Sequence, residues 1–187
     1  MKKTILFILA VFIILNAVSY AEEYEPALGM KMSEFISKYN AIGTPLGSTL
    51  LALREPEKWT KLNNSDVAWF APARGESTRI YLISSDPAGQ NLSSGLDRIQ
   101  ISMDTPYDFL SFLTVADRCA QLFAADIFTV SMSKHCVYSA MTYYFENNLD
   151  GTGMCSYNQI NAETKICCKF FSSENLYYLE ICAEKDV

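Results

Sequence analysis

The stretch KICCKFFSSENLYYLEICAE, from Lys165 to Glu184, constrains the fold more than any other. Side chains on a strand alternate between two faces, so Ile166, Cys168 and Phe170 share one face of a first strand. Tyr177, Leu179 and Ile181 form the apolar face of a second strand. The residues Ser172-Ser173-Glu174-Asn175 between them read as a turn, so the segment is an antiparallel hairpin. Cys167 and Cys182 then point the other way, together with Phe171, Leu176 and Tyr178. A four-residue turn sets Cys167 opposite Glu180, with Cys182 as a diagonal neighbour. A turn longer by two residues sets Cys167 opposite Cys182, at disulfide distance. The expectation is a solvent-side staple, with Cys168 in the core.

The other end of the chain sets the compartment in which those thiols work. Lys2 and Lys3 precede an unbroken apolar run from Ile5 to Leu15, and Ser19-Tyr20-Ala21 supplies small residues where a signal peptidase reads. This is the pattern of a secretory signal peptide over residues 1–21, cleaved after Ala21. The run is too short for the roughly 20 apolar residues of a membrane span. No cysteine stands near the cleavage site to take a lipid, and no second long apolar run follows. The mature chain is expected to be exported, periplasmic or secreted, with no stable membrane insertion.

About 166 of the 187 residues remain after cleavage, enough for one domain with its own core. Residues 22–30 read as a loose leader and 31–187 as a single α+β domain. The signal carries two lysines and no acids, so its removal makes the formal charge, −6 for the whole chain, two units more negative. The remaining lysines and arginines are scattered. Neutralising a phosphate backbone needs them clustered, so no nucleic-acid partner is expected. All six cysteines fall between Cys119 and Cys182. An even number in an exported chain points to disulfides, with Cys119, Cys136, Cys155, Cys167, Cys168 and Cys182 as candidates and 15 possible pairings.

Upstream of the hairpin the pattern switches between the two periods. MSEFISKYNAIG reads as a helix, with Ser33 able to cap it, Phe35, Ile36, Tyr39 and Ile42 on one side, and Gly43 and Pro45 ending it. Thr49 to Leu53 reads as a short strand with a turn at Glu55-Pro56. DVAWFAPA, STRIYLISSD and GLDRIQISMD read as three further strands, the last two joined by a Pro-, Gly- and Ser-rich loop. TPYDFLSFLTVADRCAQLFAAD carries the clearest helical pattern. Thr105 can cap it, Pro106 suits its first position, and Phe109, Phe112, Leu113, Ala116, Cys119, Ala120 and Phe123 share a face. A further helix is expected over Ser133 to Asn147, burying Cys136, Ala140 and one of Tyr143 or Tyr144. The fold class is α+β: an antiparallel sheet of five to six strands with two to three helices mainly on one face, in the order α-β-β-β-β-α-α-β-β.

Catalytic chemistry finds little support in the spacing. There is no C-x-x-C, and Cys167 and Cys168 as strand neighbours face apart, which disfavours a zinc site or a thioredoxin-like motif. His135 is the only histidine, and Cys136 beside it diverges on a helix, so neither a Cys-His pair nor a Ser-His-Asp triad is indicated. ENNLDG (Glu146 to Gly151) resembles the start of a calcium loop, but the position of its final glutamate falls at Tyr157. No phosphate-binding glycine loop is present, and no cofactor is expected. The adjacent aromatics are the feature that leans toward a function: Trp69-Phe70, Tyr143-Tyr144-Phe145, Phe170-Phe171 and Tyr177-Tyr178. Phe171, Leu176 and Tyr178 on the outer face of the hairpin form a candidate binding surface. The expectation is a non-enzymatic exported domain that binds another protein or a small apolar ligand. The alternative is an enzyme or thiol-redox protein with a site assembled in space.

Overall fold

A computed structural model describes residues 24–42, 52–70, 77–104, 109–124, 127–147, 152–159 and 164–185. The segment read as a signal peptide, the expected cap at Thr105 and Pro106, and most of ENNLDG lie outside the described residues. Helix α1 spans Met32–Ala41, followed by strands β1 (Lys58–Leu62), β2 (Ser65–Phe70), β3 (Arg79–Ser84) and β4 (Arg98–Met103). Helices α2 (Phe109–Gln121) and α3 (Ile127–Glu146) come next, then β5 (Gly153–Gln159), β6 (Thr164–Ser173) and β7 (Leu176–Lys185). The fold is α+β, with one seven-stranded antiparallel sheet in the order β1-β2-β3-β4-β7-β6-β5.

The topology is two meanders closed on each other. The chain runs β1 to β4 toward the middle of the sheet, then crosses through α2 and α3 to the far edge at β5. It meanders back, and β7 pairs with β4 from Arg98↔Cys182 to Met103↔Tyr177. One apolar core joins the inner face of the sheet to all three helices. Ala68, Phe70, Ile80, Leu82, Ile99, Ile101, Ile166, Cys168, Phe170, Leu179 and Ile181 supply the sheet side. Phe35 stacks on Phe123 (6.5 Å), and the guanidinium of Arg118 lies 4.4 Å above the ring of Tyr39, which ties α1 to α2.

Several sequence expectations need correction. Ser33 lies inside α1; the N-cap is Lys31, without a side-chain cap, and the Ser33 amide bonds to the Leu92 carbonyl instead. Of the strand expected over Thr49 to Leu53, residues 49–51 lie outside the described residues, and Ala52 and Leu53 are not strand: Asn40 of α1 takes both the amide and the carbonyl of Leu53. The first strand is Lys58–Leu62 and turns into β2 at Asn63, whose φ of 56° suits asparagine. The sheet also gains β5, where the alternation in GMCSYNQ is too weak to read without its partner β6. Helix α3 begins at Ile127, before Ser133. Phe109, placed in the core by its spacing, is 39% exposed at the first turn of α2. Residues 24–30, read as a loose leader, are docked. Leu28 is buried, its amide bonds to the Leu96 carbonyl, and Asp97 accepts from the Tyr24 hydroxyl at 2.6 Å and the Ala27 amide at 3.0 Å.

The C-terminal hairpin reaches the expected disulfide register by a shorter turn rather than a longer one. Glu174 and Asn175 make a two-residue connection, with φ of 53° and 65°. Two successive positive φ values match the right-handed twist of the strands they join. Ser173 therefore pairs with Leu176, and Cys167 lies directly opposite Cys182.

Candidate functional site

Alternation puts the six cysteines in three different places. On the sheet face that carries none of the described helices (the helix-free face), Cys167 of β6 faces Cys182 of β7, and their thiols are hydrogen bonded. The sequence expectation of a solvent-exposed pair is not met: Cys167 is fully buried and Cys182 is 7% exposed. Long polar side chains stand around these short ones. Lys169 hydrogen bonds to Cys182, and Glu184 lies near Cys167. On the inner face, Cys155 of β5 faces Cys168 of β6, and Cys136 of α3 hydrogen bonds with both. Cys119 on α2 is buried in the core, and burial pushes its thiol pKa up. All six are thiols in this structure, so the expected disulfides are not formed, although two sets of partners stand in contact.

The thiols differ in acidity. Hydrogen bonding to Cys168, then burial, raises the pKa of Cys136 far above the ordinary thiol range. Within the outer pair, the bond from Cys167 and the nearby Lys169 ammonium lower the pKa of Cys182, while the same bond and burial raise that of Cys167. His135 is exposed on α3, and its Nε2 lies 3.3 Å from Ser139 Oγ, one turn along. Among the described residues no group of three or more His, Cys, Asp or Glu is arranged to hold a metal ion.

The expected aromatic surface is assembled in part. The rings of Phe171 and Tyr178 stack at 5.4 Å with 15° between their planes, and both are half-buried. Leu176, also half-buried, sits at the turn end of the same face, opposite Ser173. A more exposed apolar feature lies on the helical side. Phe109 of α2, with Tyr138, Met141, Thr142, Phe145 and Glu146 of α3, lines a groove of about 420 Å³. Met141 is its buried floor. Phe145, 45% exposed, rests edge-on against Tyr144 at 5.4 Å and leans on Phe170 (5.6 Å) and Tyr177 (6.2 Å). Phe170 is the hub beneath it, with Phe112 and Tyr144 also against its ring. The Tyr144 hydroxyl donates to Ser172 Oγ at 2.7 Å, which pins α3 over the hairpin.

Sequence reasoning missed this groove, though a signal was present. Successive helical residues are about 100° apart, so Tyr143, Tyr144 and Phe145 cannot all face one core. Tyr144 turns inward, and its two neighbours are left at the surface. The chain matches no family model, no curated protein and no solved structure. Among the described residues no helix is long and apolar enough to cross a membrane.

Proposed function

We propose that this is an exported, non-enzymatic domain that binds a small apolar ligand in the groove between α2 and α3. The observation that carries the proposal is the set of half-exposed aromatics around a concave floor: Phe109, Tyr138 and Phe145 over Met141. Its volume falls within the range of small-molecule sites, and a few polar groups at its rim, Thr142 and Glu146, can orient a ligand head. The signal-peptide pattern over residues 1–21 supports export, and the amino terminus of the mature protein, read by intact mass, tests cleavage after Ala21.

Titration with a fluorescent long-chain fatty-acid analogue tests the groove. Saturable one-to-one binding is expected, and Tyr138→Gln or Phe109→Gln should weaken it about tenfold, the effect of losing about 1.4 kcal/mol of ring burial. Both residues are half-exposed, so melting temperatures should stay near wild type. Binding that does not saturate, or that ignores both substitutions, removes the proposal.

A second reading rests on the stacked Phe171–Tyr178 pair, which suits docking of another protein on the helix-free face. Phe171→Ala with Tyr178→Ala should then leave folding nearly intact and abolish the interaction. A large drop in melting temperature would assign those rings a packing role.

A further inference from the structure

The outer pair of thiols is built differently from the inner cluster. Cys167 and Cys182 lie directly opposite on adjacent antiparallel strands, a position from which the backbone need not move to form a disulfide. Their sulfurs already touch through a hydrogen bond, and the ammonium of Lys169 bonds to Cys182. Among the described residues, the charged groups at the strand positions around the pair are Lys165 and Lys169 on β6, Glu180 and Glu184 on β7, and Arg98 on β4 directly across from Cys182. Glu180 is already engaged: Gln100 donates to its Oε2 at 2.8 Å, and the Arg98 guanidinium lies 3.6 Å from the same oxygen. Lys169 lies directly across the ladder from Glu180 and also bonds to Cys182, so its ammonium favours negative charge on that thiol while Glu180 opposes it. Cys182, 7% exposed, is the more exposed thiol of the outer pair, whereas Cys136 and Cys168 of the inner cluster are 1% and 0% exposed.

We propose that Cys182 and Cys167 form a thiol–disulfide exchange site on the helix-free face, with Cys182 attacking, Cys167 resolving and a small disulfide as the oxidant. The inference stands whether or not the groove binds a ligand. In the first step the Cys182 thiolate attacks one sulfur of R–S–S–R. The S–S bond breaks, Cys182–S–S–R forms, and RS⁻ leaves and takes up a proton. In the second step Cys167 loses its proton and attacks the Cys182 sulfur, expelling the second RS⁻, which is protonated in turn. The protein gives up two electrons and two protons, and one disulfide becomes two thiols. Lys169 is a positioning residue: it holds the thiolate and touches no oxidant.

The test uses the fully reduced mature chain and 4,4′-dithiodipyridine, followed by thiopyridone absorbance, intact mass and peptide mapping. Wild type should pass through one mixed disulfide and end with an internal Cys167–Cys182 bond. Cys167→Ser should stop at the mixed disulfide on Cys182. Lys169→Met removes a surface charge and leaves the core untouched. It should slow the first step about tenfold at pH 7 and move its pH profile upward with no change in melting temperature, whereas Lys169→Arg restores the rate. The competing thiol is Cys155, which is half-buried near the sheet edge. First labelling at Cys155 or at any other inner cysteine overturns the proposal, as does a pH profile indifferent to Lys169→Met.

Discussion

Gly153→Ala perturbs the tightest contact between helix and sheet. Gly153 opens β5 beneath α3, and a methyl group built on it meets the backbone carbonyl oxygen of Ala140 at 1.8 Å, the Ala140 carbonyl carbon at 2.9 Å and Tyr144 Cβ at 2.9 Å. The nearest contact is backbone, so no rotamer change relieves it. To restore ordinary van der Waals distance, α3 and β5 must separate by roughly 1.5 Å at that point. The face that would lift carries Cys136, Val137, Ala140 and Tyr144, all buried in the common core. Overpacking of this kind costs about 1–3 kcal/mol, and a backbone clash belongs at or above the upper end. The entropy that alanine removes from the unfolded chain offsets less than about 1 kcal/mol. A net loss of about 2–3 kcal/mol lowers the melting temperature of a domain this size by roughly 5–10 °C. Thermal and urea denaturation followed by circular dichroism would measure it. The same displacement carries Met141 and Phe145 with it, so ligand binding in the groove should weaken in the folded mutant. A Gly153→Ala protein that melts with wild type would show that α3 does not press on β5 as described.

Two further substitutions probe single groups. Asp117 on α2 has a buried Oδ1 without a hydrogen-bond partner, and burial raises its carboxyl to about 6 despite the nearby Lys134. Between roughly pH 4 and 6 the folded state holds a proton that the unfolded chain has lost, so this group's contribution is complete below pH 4 and gone above pH 6. Asp117→Asn should therefore stabilise the protein by about 1 kcal/mol at pH 7, after allowing for solvent screening, and by much less at pH 4. Equal shifts in melting temperature at the two pH values would contradict that account. Asn40→Ala removes two hydrogen bonds to the Leu53 backbone, and a loss of about 1–2 kcal/mol is expected in urea titrations, with the m-value unchanged.

Much of the fold was legible because its periods are local. The alternation in STRIYLISSD and GLDRIQISMD gave β3 and β4, and the helical face from Phe112 to Phe123 gave α2. The alternation around Cys167 and Cys168 separated two thiols that are adjacent in sequence, and the structure keeps them on opposite faces. β5 was hidden because an edge strand with few apolar residues takes its conformation from the ladder it joins. Leu53 failed as a strand because a distant side chain, Asn40, claimed its polar groups.

The candidate site divides along the same line. By itself the sequence determined that Cys167 and Cys182 share a face, that Cys168 lies on the other, and that Tyr143, Tyr144 and Phe145 cannot all be buried together. Those are consequences of the repeat of a strand and of a helix, which the chain carries within a few residues. Only the tertiary structure decided that Cys167 lies opposite Cys182, because two residues more or less in the turn slide the register. It alone brought Cys136 across from α3 to Cys155 and Cys168, and set Phe109 beside Phe145 to make a groove. Contacts of that kind depend on where elements distant in sequence come to rest, and packing of the whole core settles that position.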